Sequence, residues 1–193
     1  RRPGCNRPTD EFGERLGGSC VLRLLGFILI IPFAFADTAI LPIPLKPDPP
    51  FAIDGDLADW NAVPVAATID APAQAVFGAG AWTGSADCSG RVWIAWRYEH
   101  LYIAADVTDD TVVQPNRGTE VWKGDHVELY LDTAPHSDPR RAHFGEGQFQ
   151  IALSAGDHPE IVCYKPEGRV LDGASVAATR TATGDTLEAS MPG

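Results

Sequence analysis

Short stretches of alternating apolar and polar residues constrain the fold of this chain more than any other feature. They include V-W-I-A-W-R-Y (residues 92–98), L-Y-I-A-A-D-V (101–107), V-E-L-Y-L-D (127–132) and Q-F-Q-I-A-L-S (148–154). Successive side chains of a β-strand point to opposite faces, so this alternation is typical of strands that bury one face. With 19 Gly and 16 Pro residues to form turns, the chain is predicted to be an all-β, antiparallel β-sandwich.

The stretch E-V-W-K-G-D-H-V-E-L-Y-L-D (residues 120–132) carries the most chemistry. A strand over 127–132 directs apolar side chains to the core and polar ones to the other face: Val127, Leu129 and Leu131 against His126, Glu128, Tyr130 and Asp132. Trp122 lies just before this strand. An indole face beside hydrogen-bonding carboxylates suits a sugar ring, which offers C–H groups to the aromatic ring and hydroxyls to the acid.

Two further tryptophans lie on the strand predicted over 91–98, where Val92, Ile94 and Trp96 share one face. This predicts that Trp96 belongs to the core. Trp93 falls on the more polar face and is a weaker candidate for ligand contact.

Four sequence blocks, taken in order, resemble family 9 carbohydrate-binding modules. The blocks are I-D-G-D-L-A-D-W (53–60), H-L-Y-I-A-A-D-V-T-D-D (100–110), W-K-G-D-H-V-E-L-Y-L-D (122–132) and G-Q-F-Q-I (147–151). The resemblance implies a jelly-roll or immunoglobulin-like sandwich over residues 51–193 that binds an oligosaccharide or polysaccharide without catalysis, in carbohydrate catabolism. It also implies that the end of the domain, including a second stacking Trp, lies beyond Gly193.

The resemblance assigns roles to three residues. Trp122 would stack on the sugar, and Glu128 and Gln150 would hydrogen-bond its hydroxyls. Characterised sugar binders of the family can carry Arg at the position of Gln150; an amide still donates and accepts, but without charge assistance.

Bound calcium with a structural role is a further implication of the resemblance, with Asp109 and Asp125 as its ligands. Hard cations take several oxygen ligands, and backbone carbonyls would complete the shell. The residues alone favour a solvated acidic loop, and the spacing is not that of an EF-hand.

The N-terminal region is interpreted as processing sequence. Residues 21–36, V-L-R-L-L-G-F-I-L-I-I-P-F-A-F-A, resemble a secretory signal with cleavage before Asp37, which predicts a secreted protein: periplasmic, extracellular or on the cell surface. A core helix or membrane anchor is the alternative, but the apolar run is short and Pro32 interrupts it, so we expect no membrane span after cleavage. Because the only Met is Met191, residues 1–20 are interpreted as an untranslated or artefactual leader. Residues 37–50 form a Pro-rich linker.

The net charge and the cysteines indicate which partners and which disulfide bonds to expect. The formal net charge of −11 would repel phosphates, so nucleic acid is not expected as a partner. In an oxidising compartment, Cys88 and Cys163 could form a disulfide or remain two buried thiols.

Two other function classes are compatible with single features. A glycoside hydrolase would pair Glu128 with Asp132 or Asp106, although such activity is better assigned to a catalytic domain of a longer protein than to this segment. The covalently linked partner in such a protein would be this catalytic domain or an outer-membrane domain. A haem-binding electron-transfer domain would use Met191, His126 or His143 as an axial ligand.

Overall fold

The computed structural model describes residues 41–133 and 142–193, together with the backbone of residues 21–24. These residues form nine strands: β1 Val21–Leu24, β2 Ala67–Ile69, β3 Cys88–Arg97, β4 His100–Asp109, β5 His126–Asp132, β6 Gln148–Ser154, β7 Glu160–Lys165, β8 Ser175–Arg180 and β9 Gly184–Pro192. Three 3₁₀ helices lie between them, at Leu57–Trp60, Pro72–Gln74 and Gly118–Lys123.

The strands form two sheets. One has the order β1-β5-β6-β7 and the other the order β2-β3-β4-β9-β8. All neighbours are antiparallel except β1, which runs parallel to β5. The predicted antiparallel β-sandwich is confirmed.

The main hydrophobic core lies between the sheets and contains the apolar residues that alternate along the strands. Val127 and Leu129 of β5 are each 5% exposed and pack there with residues such as Ile151 of β6 and Leu187 of β9. Met191 belongs to this core and is 3% exposed. The period-two pattern therefore identified the inward face of β5.

A second apolar cluster covers the outer face of the five-stranded sheet. Residues 51–65, which we call the strap, bring Phe51 and Trp60 over this face, and the two rings stack with centroids 3.9 Å apart. Trp93 of β3 is 9% exposed within this cluster, together with Ala95 and Ala104. Burial of both faces explains why this sheet carries apolar residues on both sides.

The strap overturns one prediction about the tryptophans of β3. Trp96, predicted to be buried, is 45% exposed, whereas Trp93 is the buried one. Trp96 is the penultimate residue of β3 and pairs with Leu45 of the preceding segment, so the core does not enclose it. The pattern indicated the correct face but not how far the opposing sheet extends along it.

Glu188 of β9 fastens the strap to the sheet. Its carboxylate is fully buried and accepts hydrogen bonds from Trp60 Nε1 at 2.6 Å, from the Gly55 amide at 2.8 Å and from the Asp54 amide at 3.2 Å. Burial raises the pKa of Glu188, and the three donors oppose that increase. A buried carboxylate with three donors thus joins residues more than 120 positions apart.

The N-terminal predictions fall only in part on described residues. Residues 1–20 and 25–40 lie outside them, while 21–24, at the start of the predicted signal, form β1 beside β5. Within the predicted linker, the Lys46 amide donates to the Trp96 carbonyl at 2.9 Å and Asp48 pairs with Arg97. In the described parts of the chain, no helix has the length and apolar character needed to cross a membrane.

Neither alternative for the two cysteines holds, because Cys163 carries a free thiol and Cys88 is in a disulfide bond.

Candidate functional site

The outward face of the four-stranded sheet gathers the polar residues of three strands. Tyr130 of β5 is directly opposite Gln150 of β6, and Glu128 lies two residues earlier on the same face. On β7, Ile161 and Cys163 pack against the core, so Tyr164 points to the outer side with Glu128. The strand pairing therefore assembles one polar surface from residues far apart in the sequence.

Glu128 is the centre of this surface and is only 2% exposed. Its Oε1 accepts a hydrogen bond from Gln150 Nε2 at 2.6 Å, and its Oε2 accepts one from the Tyr130 hydroxyl at 2.9 Å. Gln150 Nε2 also lies 3.3 Å from the Tyr130 hydroxyl. The three side chains form a connected network, which fixes the orientation of the carboxylate and the amide.

Trp122 projects from the loop that precedes β5. It lies on the 3₁₀ helix Gly118–Lys123, is 48% exposed, and has the Lys123 ammonium 5.4 Å from its ring centroid. Gln114 supports this loop from within, since its Nε2 donates to the carbonyls of Val121 at 3.0 Å and Asp125 at 2.8 Å. The loop thus presents a flat aromatic ring on a braced backbone.

Tyr164 connects the Trp122 loop to the polar surface. Its hydroxyl accepts a hydrogen bond from the Trp122 amide at 3.0 Å. Burial raises the pKa of Tyr164, and the negative charges of Glu128 and Glu160 raise it further. The phenol is therefore neutral at physiological pH and keeps its proton for a second hydrogen bond.

Phe144 adds a second exposed ring beside the network. It is 43% exposed and lies 6.1 Å from the ring of Tyr130, with 28° between the planes. Sequence reasoning missed Phe144, because its loop has no periodicity to give it a face. Tyr164 was missed as well, although the alternation in E-I-V-C-Y-K places it outward.

The two aspartates predicted as calcium ligands have separate surroundings. Asp125 makes two hydrogen bonds with Val113: its carboxylate accepts one from the Val113 amide, and its own amide donates one to the Val113 carbonyl. Asp109 ends β4, is 5% exposed, and accepts from the Thr111 amide at 2.8 Å through Oδ1. Within residues 41–133 and 142–193, no three His, Cys, Asp or Glu side chains are grouped to hold a metal.

Asp109 nevertheless suits a hard cation in one respect. Its Oδ2 is buried without a hydrogen-bond partner. Burial raises the pKa of Asp109, and the charges of Asp110 and Asp87 raise it further. A cation at Oδ2 would satisfy this oxygen and stabilise the ionised carboxylate.

The residues named for other function classes have different surroundings from one another. Asp106 is on the five-stranded sheet, in an ion pair with Arg91, and cannot flank a bond together with Glu128. Asp132 is exposed and accepts from Gln148 Nε2 at 2.7 Å. Met191 is in the core, and the His126 Nδ1 lies 2.8 Å from the Gly124 carbonyl oxygen, so neither is presented as an open haem ligand.

The chain matches a known protein family. The model of the family described as "Carbohydrate family 9 binding domain-like" matches residues 53–193. No curated protein matches the chain.

Two solved structures share the fold. Both are family 9 carbohydrate-binding modules from Caldicellulosiruptor kristjanssonii, one in complex with glucose and one with cellotriose. Their TM-scores are 0.55 and 0.54, at 16% and 17% sequence identity. In each case the alignment covers 78% of this chain and 66% of the other, so this chain spans slightly less than two thirds of their length.

Proposed function

Because the chain belongs to the carbohydrate family 9 binding domain-like family, we propose that it binds a neutral saccharide, without catalysis, on the outward face of β5, β6 and β7. One observation carries the proposal: Trp122, a half-exposed indole, is tied through its amide to Tyr164, on the same outward face as the part-buried network of Glu128, Gln150 and Tyr130. Sugar sites need this combination, since a pyranose has an apolar C–H face and a rim of hydroxyls.

In the proposed complex, the sugar stacks on Trp122 and its hydroxyls reach Glu128 and Gln150. The carboxylate accepts from a hydroxyl, and the amide can donate to or accept from a neighbouring one. Because Tyr130 and Gln150 already hold the carboxylate, little side-chain entropy is lost on binding. A sugar with a misplaced hydroxyl would leave these groups unpaired, which provides the selectivity.

The charge of the chain and the related structures support a proposed sugar class. The negatively charged chain disfavours acidic sugars. The complexes of the two Caldicellulosiruptor modules contain glucose and cellotriose. We propose β-linked glucose oligosaccharides as the first ligands to test.

Calcium is proposed as a structural cofactor, with Asp109 as a ligand and Asp125 as a further candidate. The unpartnered Oδ2 of Asp109 supports this assignment. The ion would stabilise the end of β4 through the carboxylate, and the sugar would not contact it.

Export and a targeting role complete the proposal. Residues 21–36 would direct secretion, and the module would bring a longer parent protein to a polysaccharide. Any glycoside hydrolase activity would reside in the parent. Cleavage before Asp37 would remove β1 and expose the edge of β5 to another strand.

The proposal is tested by calorimetric titration of glucose and cellotriose into the wild type and into Trp122→Ala. Loss of a central aromatic platform costs about 2 kcal/mol, so the dissociation constant should rise about 30-fold. Trp96→Ala is the matched control, because Trp96 is exposed to a similar extent, 45% against 48%, but lies on the other sheet. Equal losses in both variants, or none in Trp122→Ala, would contradict the proposed site.

A further inference from the structure

A cavity lies on the opposite side of the sandwich from the Trp122 surface. It has a volume of about 490 Å³ and lies, open to solvent, between the strap and the outer face of the five-stranded sheet. Its walls come from β3, β4 and β9 on one side and from residues 56–65 on the other. It shares no residue with the Trp122 surface.

One wall is a polar row across three strands. Arg91 of β3, Asp106 of β4 and Thr186 of β9 are register partners. Arg91 Nη2 donates to Asp106 Oδ2 at 2.5 Å, and the side chains are 55% and 33% exposed. The ion pair is thus accessible and orients donors and acceptors next to one another.

The guanidinium of Arg91 also stacks on an aromatic ring. It lies 5.3 Å from the ring centroid of the buried Trp93. A guanidinium over an indole face is fixed in plane and keeps its remaining N–H groups at its edge. Stacking and the ion pair together pre-organise Arg91 for a ligand.

The other wall is mostly apolar. Leu57, Val63 and Val65 of the strap line it, and Val65 is 42% exposed. Asp56 is at the rim, where its Oδ1 caps the 3₁₀ helix through the Ala58 amide at 3.0 Å. An apolar wall facing a polar row matches a ligand with one apolar and one hydrogen-bonding side.

We propose that this cavity is a second binding site for a neutral saccharide. Arg91 donates to one hydroxyl while Asp106 accepts from its neighbour, an arrangement that fits a vicinal diol. The strap's apolar side chains contact the C–H face of the ring. With two carboxylates and one guanidinium, the cavity has a formal charge of −1, which disfavours phosphates and acidic sugars.

Two sites on opposite faces would give the domain two contacts with separate chains of one polysaccharide. Binding to an insoluble or multivalent glycan would then exceed binding to a single oligosaccharide, because the second contact occurs at a high effective concentration. The site is independent of Trp122, so it can be tested when the first site is disabled.

The test is titration of cellotriose, followed by ¹H–¹⁵N NMR of the tryptophan indole signals, in the wild type and in Trp122→Ala. We expect the Trp93 signal to shift saturably in both proteins. In Trp122→Ala, adding Arg91→Gln or Asp106→Asn should weaken the Trp93 response at least about tenfold. Arg180→Gln is the control, since Arg180 also forms an ion pair on this sheet, with Asp185, and does not line the cavity.

The outcomes separate the two sites. A Trp122 shift without a Trp93 shift would overturn the second site and leave the first. A Trp93 shift that persists undiminished in both Arg91→Gln and Asp106→Asn would also overturn it. A Trp93 shift without a Trp122 shift would support the second site and contradict the proposed function at the first.

Discussion

Replacing Glu188 with Ala is expected to destabilise the domain strongly, because its buried carboxylate joins the strap to β9 through three hydrogen bonds. Two of its donors, Trp60 Nε1 and the Gly55 amide, are buried. A buried donor left without an acceptor costs about 1–3 kcal/mol, so the two together cost about 2–6 kcal/mol. Removing the carboxylate also removes the cost of burying its charge, which offsets part of this loss of stability. We expect the free energy of unfolding to fall by about 3 kcal/mol in total.

Urea unfolding followed by tryptophan fluorescence measures this loss directly, since Trp60 is one of the donors. Glu188→Gln keeps the shape and one acceptor oxygen and should lose less than Glu188→Ala. The control is Glu167→Ala at an exposed position, where a change within about 0.5 kcal/mol is expected. A Glu188→Ala variant as stable as this control would refute the role assigned to the carboxylate.

Three further predictions concern the site and its surroundings. Tyr164→Phe removes the acceptor of the Trp122 amide and should weaken cellotriose binding about threefold to tenfold in calorimetry; an unchanged affinity would show that Tyr164 does not position the loop. Calcium should raise the Tm of the wild type in a thermal melt but not that of Asp109→Asn, and equal responses to calcium and EDTA in the two proteins would exclude Asp109 as a ligand. Burial raises the pKa of Asp185 and Glu188, so these two carboxyls bind protons more tightly in the folded state than in the unfolded chain. The free energy of unfolding should therefore fall as the pH rises from the ordinary carboxyl range through the raised pKa values. The fall should be shallower in Glu188→Gln.

The sequence predicted the architecture because strand alternation is a local property. The inward face of β5, with Val127 and Leu129, followed from the period of two and is confirmed. The reversal of Trp93 and Trp96 had a different origin. The strap that buries Trp93 comes from residues 51–65, and no periodicity of β3 reports what covers its outer face.

In the candidate site, too, the local features were predicted from the sequence and the tertiary contacts were not. Glu128 and Gln150 were predicted on one face, and the structure places them in hydrogen-bond contact at 2.6 Å. Tyr164 joins their side of the sheet through the pairing of β7 with β6, and its hydroxyl accepts from the Trp122 amide of a distant loop. Such contacts depend on tertiary folding, so spacing along the chain could not supply them.

The most direct measurement of the central claim is a crystal structure of the domain with bound cellotriose. We expect a glucose ring stacked on Trp122, with its hydroxyls hydrogen-bonded to Glu128 and Gln150. Cellotriose bound elsewhere, with Trp122 and Glu128 free of sugar, would contradict it.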